Sequence, residues 1–138
     1  MTPDDIIAAA RSAVGTPFRH QGRAPGVALD CAGLALHVAG AVGVAAFDRE
    51  GYPRQPFGGV LEATLNEQPG LVQVFAMLPG DILLMRFKAG PQHLGIFTGT
   101  TLIHAYAPSR IVCEHDFTPE WAARVVAIYR FVGVDHGE

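Results

Sequence analysis

Asp30-Cys31-Ala32-Gly33-Leu34, running on through Ala35-Leu36-His37-Val38-Ala39-Gly40-Ala41-Val42-Gly43, reads as a helix that begins at a cysteine. Asp30 is a side-chain cap, Leu34, Val38, Ala41 and Val42 recur at helical spacing, and Gly43 suits the stop. A thiol in a first turn meets unpaired N–H groups and the positive end of the helix dipole, both of which favour thiolate. The stretch thus predicts a packed helix and a candidate nucleophile together.

Working outward, Gly15 to Leu29 is rich in Gly and Pro and reads as a loop. Before it, Thr2 or Asp4 caps a first helix whose face is Ile6, Ile7, Ala10, Ala13 and Val14, with Gly15 as its end. After Gly43, residues 46–59 have neither helical nor strand period and read as a long ordered loop, the kind that often carries function. A short helix from Val60 to Asn66 follows. Beyond Pro69-Gly70 the chain turns into short runs of Val, Ile, Leu and Phe, with strands expected over 71–75, 81–86, 93–98, 101–106, 110–115 and 124–131. Thr118-Pro119-Glu120 caps one helical turn before the last of them. Helices first and antiparallel strands second predict an α+β fold, in one domain spanning residues 1–138.

Composition excludes several classes. Hydrophobic residues make up 49% and charged residues 17%, enough to bury a core without staples. The net charge of -3, with no polybasic run, argues against nucleic acid as a partner. No stretch reaches the roughly 18 apolar residues of a membrane span. The acidic start Met1-Thr2-Pro3-Asp4-Asp5 lacks the pattern of a signal peptide, so a protein made and retained in the cytoplasm until carried elsewhere is expected. Two cysteines, Cys31 and Cys113, are then free thiols by default.

Two histidines complete the constellation. If Gly99-Thr100 is a two-residue hairpin turn, Thr98 pairs with Thr101 and Gly95 falls opposite His104. His93 shares a face with Gly95, so both imidazoles lie on one face as diagonal neighbours, about 7 Å apart at Cβ. A thiol, an imidazole beside it and a second polar group to orient that imidazole form a nucleophile and base. Singly, a buried Cys or a strand His is more often structural, and it is the combination that points to catalysis. His37, His115 and His136 have no partner motif and read as surface residues; Cys113, in a strand, reads as structural. With no CxxC, no HExxH and no fourth ligand evident, neither a metal nor a cofactor is expected.

Taken as an ordered set, Asp30 to Leu34, Gly80-Asp81, His93-Leu94-Gly95-Ile96 and Ile103-His104-Ala105 resemble the NlpC-type, papain-like cysteine peptidases of peptidoglycan. The resemblance covers about residues 6–131, and the segments 18–23 and 91–94 look like the branch found in phage, prophage and gene-transfer-agent tails. It implies Cys31 as nucleophile, His93 as base and then acid, His104 as the residue orienting His93, and the Cys31 N–H as part of an oxyanion hole. It further implies cleavage of stem peptides after γ-D-glutamate, and tail hub or baseplate proteins that carry the enzyme to the wall. Family members commonly have Tyr after the Pro that precedes the cysteine segment, where this chain has Pro17-Phe18. His20, Arg19 or Gln21 are the candidates to replace that hydroxyl, and spacing does not choose among them. Asp30 reads first as a cap, with a wider site role open. Arg54 reads either as a binder of a substrate carboxylate or as a solvated loop charge. The Phe18 departure also motivates a rival expectation, a tail component that keeps the fold and contributes binding.

Overall fold

The computed structural model describes residues 1–53, 59–87 and 90–137. Helix α1 (Pro3–Ser12) starts at a capping box in which the Thr2 and Asp5 side chains each bond the other's backbone N–H. Ile6, Ile7 and Ala10 are buried on it, while Val14, expected on the same face, is 44% exposed beyond its end. The stretch 15–29 is not all loop: Arg23–Ala24 (β1) and Ala28–Leu29 (β2) form a small antiparallel hairpin. Helix α2 (Cys31–Ala41) has Asp30 as its N-cap, and it buries Gly33, Leu34, Val38 and Ala39. Ala41, expected in that stripe, is exposed. Helix α3 (Val60–Glu67) completes the helical half.

The second half is a six-stranded antiparallel sheet. Its strands are β3 (Leu71–Val74), β4 (Ile82–Phe87), β5 (Gly90–Phe97), β6 (Thr101–Tyr106), β7 (Ile111–Asp116) and β8 (Val125–Phe131), ordered β3-β8-β4-β5-β6-β7. A 3-10 turn, Ala107–Ser109, links β6 to β7, and α4 (Pro119–Ala122) precedes β8. The α+β class expected from the sequence is the one found.

Alternation along the strands creates two cores. Leu84, Leu94, Ile96, Ile103, Ala105 and Val112 face α1 and α2 and join Ile6, Ala10, Leu34 and Val38. Leu83, Met85, Phe97 and Leu102 face the other way, covered by Phe117, Trp121 and Val125. His93 and His104, odd and even in the same sense as Phe97 and Leu102, belong to this second face.

The β5–β6 hairpin has the expected register. Ile96 pairs with Ile103, Phe97 with Leu102, and the Thr98 N–H donates to Thr101 at 3.0 Å. Gly99 supplies the positive φ, 108°, that the first position of such a turn requires. Gly95 faces the second core, where an added Cβ would come within 2.5 Å of Leu102.

Asp81, 1% exposed, is held by a two-pronged ion pair in which Arg130 Nε and Nη2 donate to its oxygens, each at 2.8 Å. It also accepts from the Leu78 N–H at 2.8 Å, which fixes the turn into β4. Arg130→Ala strands a buried carboxylate. We expect it to cost about 3–5 kcal/mol in urea unfolding, with Arg130→Lys falling between because it cannot fork.

Candidate active site

The site begins with Asp30, whose buried carboxylate accepts from four groups. Oδ1 takes the Gly33 N–H and Arg23 Nη1, both at 2.8 Å, and Oδ2 takes the Gln21 N–H at 2.8 Å and the Tyr52 hydroxyl. The first of these is the cap that starts α2 at Cys31. Gly33 is required there because a Cβ would lie 2.1 Å from the Gly22 carbonyl oxygen. The loop backbone can thus pass directly over the helix start.

Arg23 carries the network outward. Its Nε and Nη2 bond Asp48 at 2.8 and 3.0 Å, and Nη2 also donates to the Tyr52 hydroxyl at 2.6 Å. His20 and Gln21, two of the groups expected to replace the missing family hydroxyl, instead bond the Tyr52 carbonyl at 2.9 and 3.0 Å. They fasten the loop, and Phe18 packs against the main core. Arg54 lies outside the described residues. Beneath the fastened loop, a cavity of about 80 Å³ reaches from Cys31 between Ala35, Leu61, Leu65, Leu94 and Phe131, roofed by residues 44–49 and Tyr52.

The thiol sits where the hairpin opens. Phe97 N–H donates to Asp81 on the β4 side, so by strand alternation the Leu94 N–H points to the β6 side. The β5–β6 pairing ends at Ile96 and Ile103, and Leu94 N–H bonds the Cys31 sulfur instead. The half-buried Cys31 therefore plugs the fork between the strands that carry His93 and His104. Burial first, and the Asp30 carboxylate second, push this thiol up to about 12. The thiolate expected from the helix start is therefore outweighed in the free protein: desolvation and a neighbouring anion oppose the helix amides and win. Among the described residues no hydrogen bond joins the thiol to an imidazole, as is common in unliganded sites.

On the far face the two histidines meet, His93 Nε2 lying 2.7 Å from His104 Nδ1. A third imidazole, which the sequence reading left on the surface, extends the line: His104 Nε2 is 2.8 Å from His115 Nε2, and His115 Nδ1 is 2.9 Å from the Asp116 carbonyl oxygen. Tyr106 stacks on His104, and Trp121 sets its edge against both His104 and Tyr106. Burial holds His93 down to about 3, with Arg124 adding, and holds His104 down to about 2, with its two imidazole neighbours adding.

When each of the three rings carries one proton, the proton order is deducible. A carbonyl only accepts, so His115 carries its proton on Nδ1 and offers a bare Nε2 to His104. His104 then donates from Nε2 and accepts at Nδ1 from His93 Nε2–H. Among the described residues, the one nitrogen of the three rings left with a free lone pair is His93 Nδ1. The signal that finds His115 is its register, because it pairs with Leu102 and so shares the face of His104.

Comparison with known proteins bears on the family and the fold. The profile of the NlpC/P60 family matches residues 15–130. No curated protein matches the chain. Among solved structures, an NlpC/P60 family protein from Bacillus cereus is 19% identical with a TM-score of 0.71, over 96% of this chain and 41% of that one. The NlpC/P60 domain of the peptidoglycan hydrolase SagA is 24% identical with a TM-score of 0.64, over 93% of this chain and 98% of the other. RipD of Mycobacterium tuberculosis, described as a non-catalytic NlpC/P60 domain protein adapted to peptidoglycan binding, is 19% identical with a TM-score of 0.61, over 94% and 96%. This chain spans less than half of the Bacillus cereus protein's length. With the profile covering most of its residues and the same fold in each neighbour, the chain belongs to the NlpC/P60 family.

Proposed function

We propose that the protein is a cysteine endopeptidase that cuts peptidoglycan stem peptides after γ-D-glutamate, with Cys31 as nucleophile, His93 as base, and His104 and His115 as positioning residues. The observation that carries this reading is the line of three imidazoles, which starts at His93, the neighbour in sequence of the Leu94 whose N–H bonds the Cys31 sulfur, and leaves His93 Nδ1 without a partner among the described residues.

With the thiol neutral in the free protein, ionisation accompanies attack. The Cys31 S–H proton passes to His93 Nδ1 as sulfur bonds the carbonyl carbon. Within the first turn, Gly33 N–H is committed to Asp30, Leu34 N–H to the Asp30 carbonyl and Ala32 N–H to the Cys31 sulfur, which leaves the Cys31 amide as donor for the oxyanion. His93 then protonates the departing amine, and water, deprotonated by His93, releases the acyl group and restores the thiol. The imidazolium that forms on His93 is steadied through Nε2–H by His104, itself held by His115. A phage-like tail, binding the domain through a hub or baseplate protein, would bring it to the wall during DNA delivery.

One observation favours a second reading. The thiol pushed up to about 12, beneath a fastened loop, suits a wall-binding or tail component of low activity. Digestion of diaminopimelate-type peptidoglycan by the wild type and by Cys31→Ala, with products identified by mass spectrometry, separates the two. The peptidase reading expects fragments ending in γ-D-glutamate from the wild type alone; intact wall from both proteins would favour the binding reading. Co-sedimentation with purified tail particles tests the carrier, and no association would remove it.

His115 has its own test. His115→Leu leaves His104 Nε2–H without an acceptor, and we expect kcat to fall at least about tenfold with KM little changed. His115→Gln, whose amide oxygen can accept, restores most of the rate; an equal loss in both variants would make His115 merely structural.

The neutral pair also has a stability signature. Unfolded histidines take protons near 6.5, whereas His93 and His104 hold out to about 3 and about 2, so between these values the unfolded chain binds more protons. Their contribution is whole above about pH 6.5 and is lost on acidification. The melting temperature should fall from pH 7 to pH 4, and His104→Asn should flatten that fall.

A further inference from the structure

We propose that His104, Cys113 and His115 form a site for a divalent ion of the zinc class, and that filling it switches off the base at His93. His104 and Cys113 are direct partners across β6 and β7, and His115, two residues further along β7, shares their face. One nitrogen from each imidazole and the Cys113 sulfur lie within 4.8 Å of one another. Tetrahedral zinc, with bonds of about 2.0–2.3 Å, holds its ligand atoms roughly 3.3–3.7 Å apart. The two Nε2 atoms, now 2.8 Å apart, need to open by only about half an ångström.

The donor set is one thiol and two imidazoles with no carboxylate, which selects zinc or copper over magnesium or calcium. The groups behind the ligands are already placed. His115 Nδ1–H bonds the Asp116 carbonyl at 2.9 Å, Ser109 Oγ lies 3.6 Å from the Cys113 sulfur, and His104 Nδ1 faces His93. His104 is fully buried, but Cys113 and His115 are partly exposed on β7 and give the ion an entry, with water as fourth ligand. No spacing motif announces the site because its ligands come from two strands.

The switch follows from proton bookkeeping. Binding expels the Cys113 proton to solvent and takes the lone pairs of His104 Nε2 and His115 Nε2. The His104 proton must then reside on Nδ1, which becomes a donor to His93 Nε2. His93 in turn carries its proton on Nδ1, the lone pair that accepts from Cys31. Each ring keeps one proton, and the base is lost without the ion touching the thiol.

The site itself does not depend on the peptidase reading; the loss of activity does. The Cys31→Ala protein, with Cys113 its only thiol, is titrated with cobalt(II). One equivalent should give a thiolate-to-cobalt charge-transfer band, and adding Cys113→Ser should abolish the band and weaken binding at least about tenfold. No band, or a band that survives Cys113→Ser, overturns the site. Ring-nitrogen NMR of the same Cys31→Ala protein with zinc should move the His93 proton from Nε2 to Nδ1, and an unmoved proton overturns the switch. If the wild type hydrolyses wall, Cys113→Ser should raise the zinc concentration for half-inhibition at least about tenfold, each variant measured against its own metal-free rate. Equal sensitivity would place the inhibition at Cys31 and overturn it here.

Discussion

The Asp30 carboxylate is the constraint on which the helical half of the site depends. A buried anion must be fully hydrogen-bonded or it is lost to solvent or to protonation. Here the Gly33 and Gln21 amides, Arg23 and Tyr52 meet that demand, and they come from three stretches of chain. One carboxylate thereby fixes the start of α2, the path of the loop before it and the anchor of the loop after it. Its charge also works against ionisation of the adjacent thiol. The group that positions Cys31 is therefore one of the groups that keep it protonated.

The sheet half solves the opposite problem. Three imidazoles in line are placed without a carboxylate at the end, the terminal acceptor being the Asp116 main-chain oxygen. In a low-dielectric layer between Tyr106 and Trp121, a neutral chain avoids the desolvation cost of a buried ion pair. Such a chain has two proton orders of similar chemistry, and what lies at its outer end decides between them. On the proposed reading, a partly exposed residue on β7 thereby reaches the nitrogen that would serve Cys31.

Much of this was legible in the sequence where local chemistry decides. Asp30 before Cys31 marks a helix start, and Gly99-Thr100 between apolar runs sets the β5–β6 register, hence the meeting of His93 and His104. His115 was not legible, because its face depends on how the 3-10 turn at Ala107–Ser109, ending with Arg110 at φ 66°, delivers β7. Nor was the loop fastening: Arg23, Asp48 and Tyr52 become partners only when the two loops flanking α2 close on Asp30. The thiolate expectation weighed the helix amides alone, and burial against Leu94 was invisible to it. Val14 and Ala41 followed the helical period but are exposed, Ala41 although Val42 beside it packs on the core.

Residues 15–18 run alongside the outer strand of the sheet. Gly15 and Phe18 N–H donate to Val112 and Arg110, Val112 N–H donates back to Thr16, and Pro17 bridges to Ile111. Half of β7 is thereby covered, and what remains open carries Glu114 and Asp116. At the opposite margin β3 is four residues long. Short, charged or covered margins are poor templates for another chain's backbone. A protein packed at high local density, as on any repetitive assembly, can thus keep its sheet from fusing with its neighbour's.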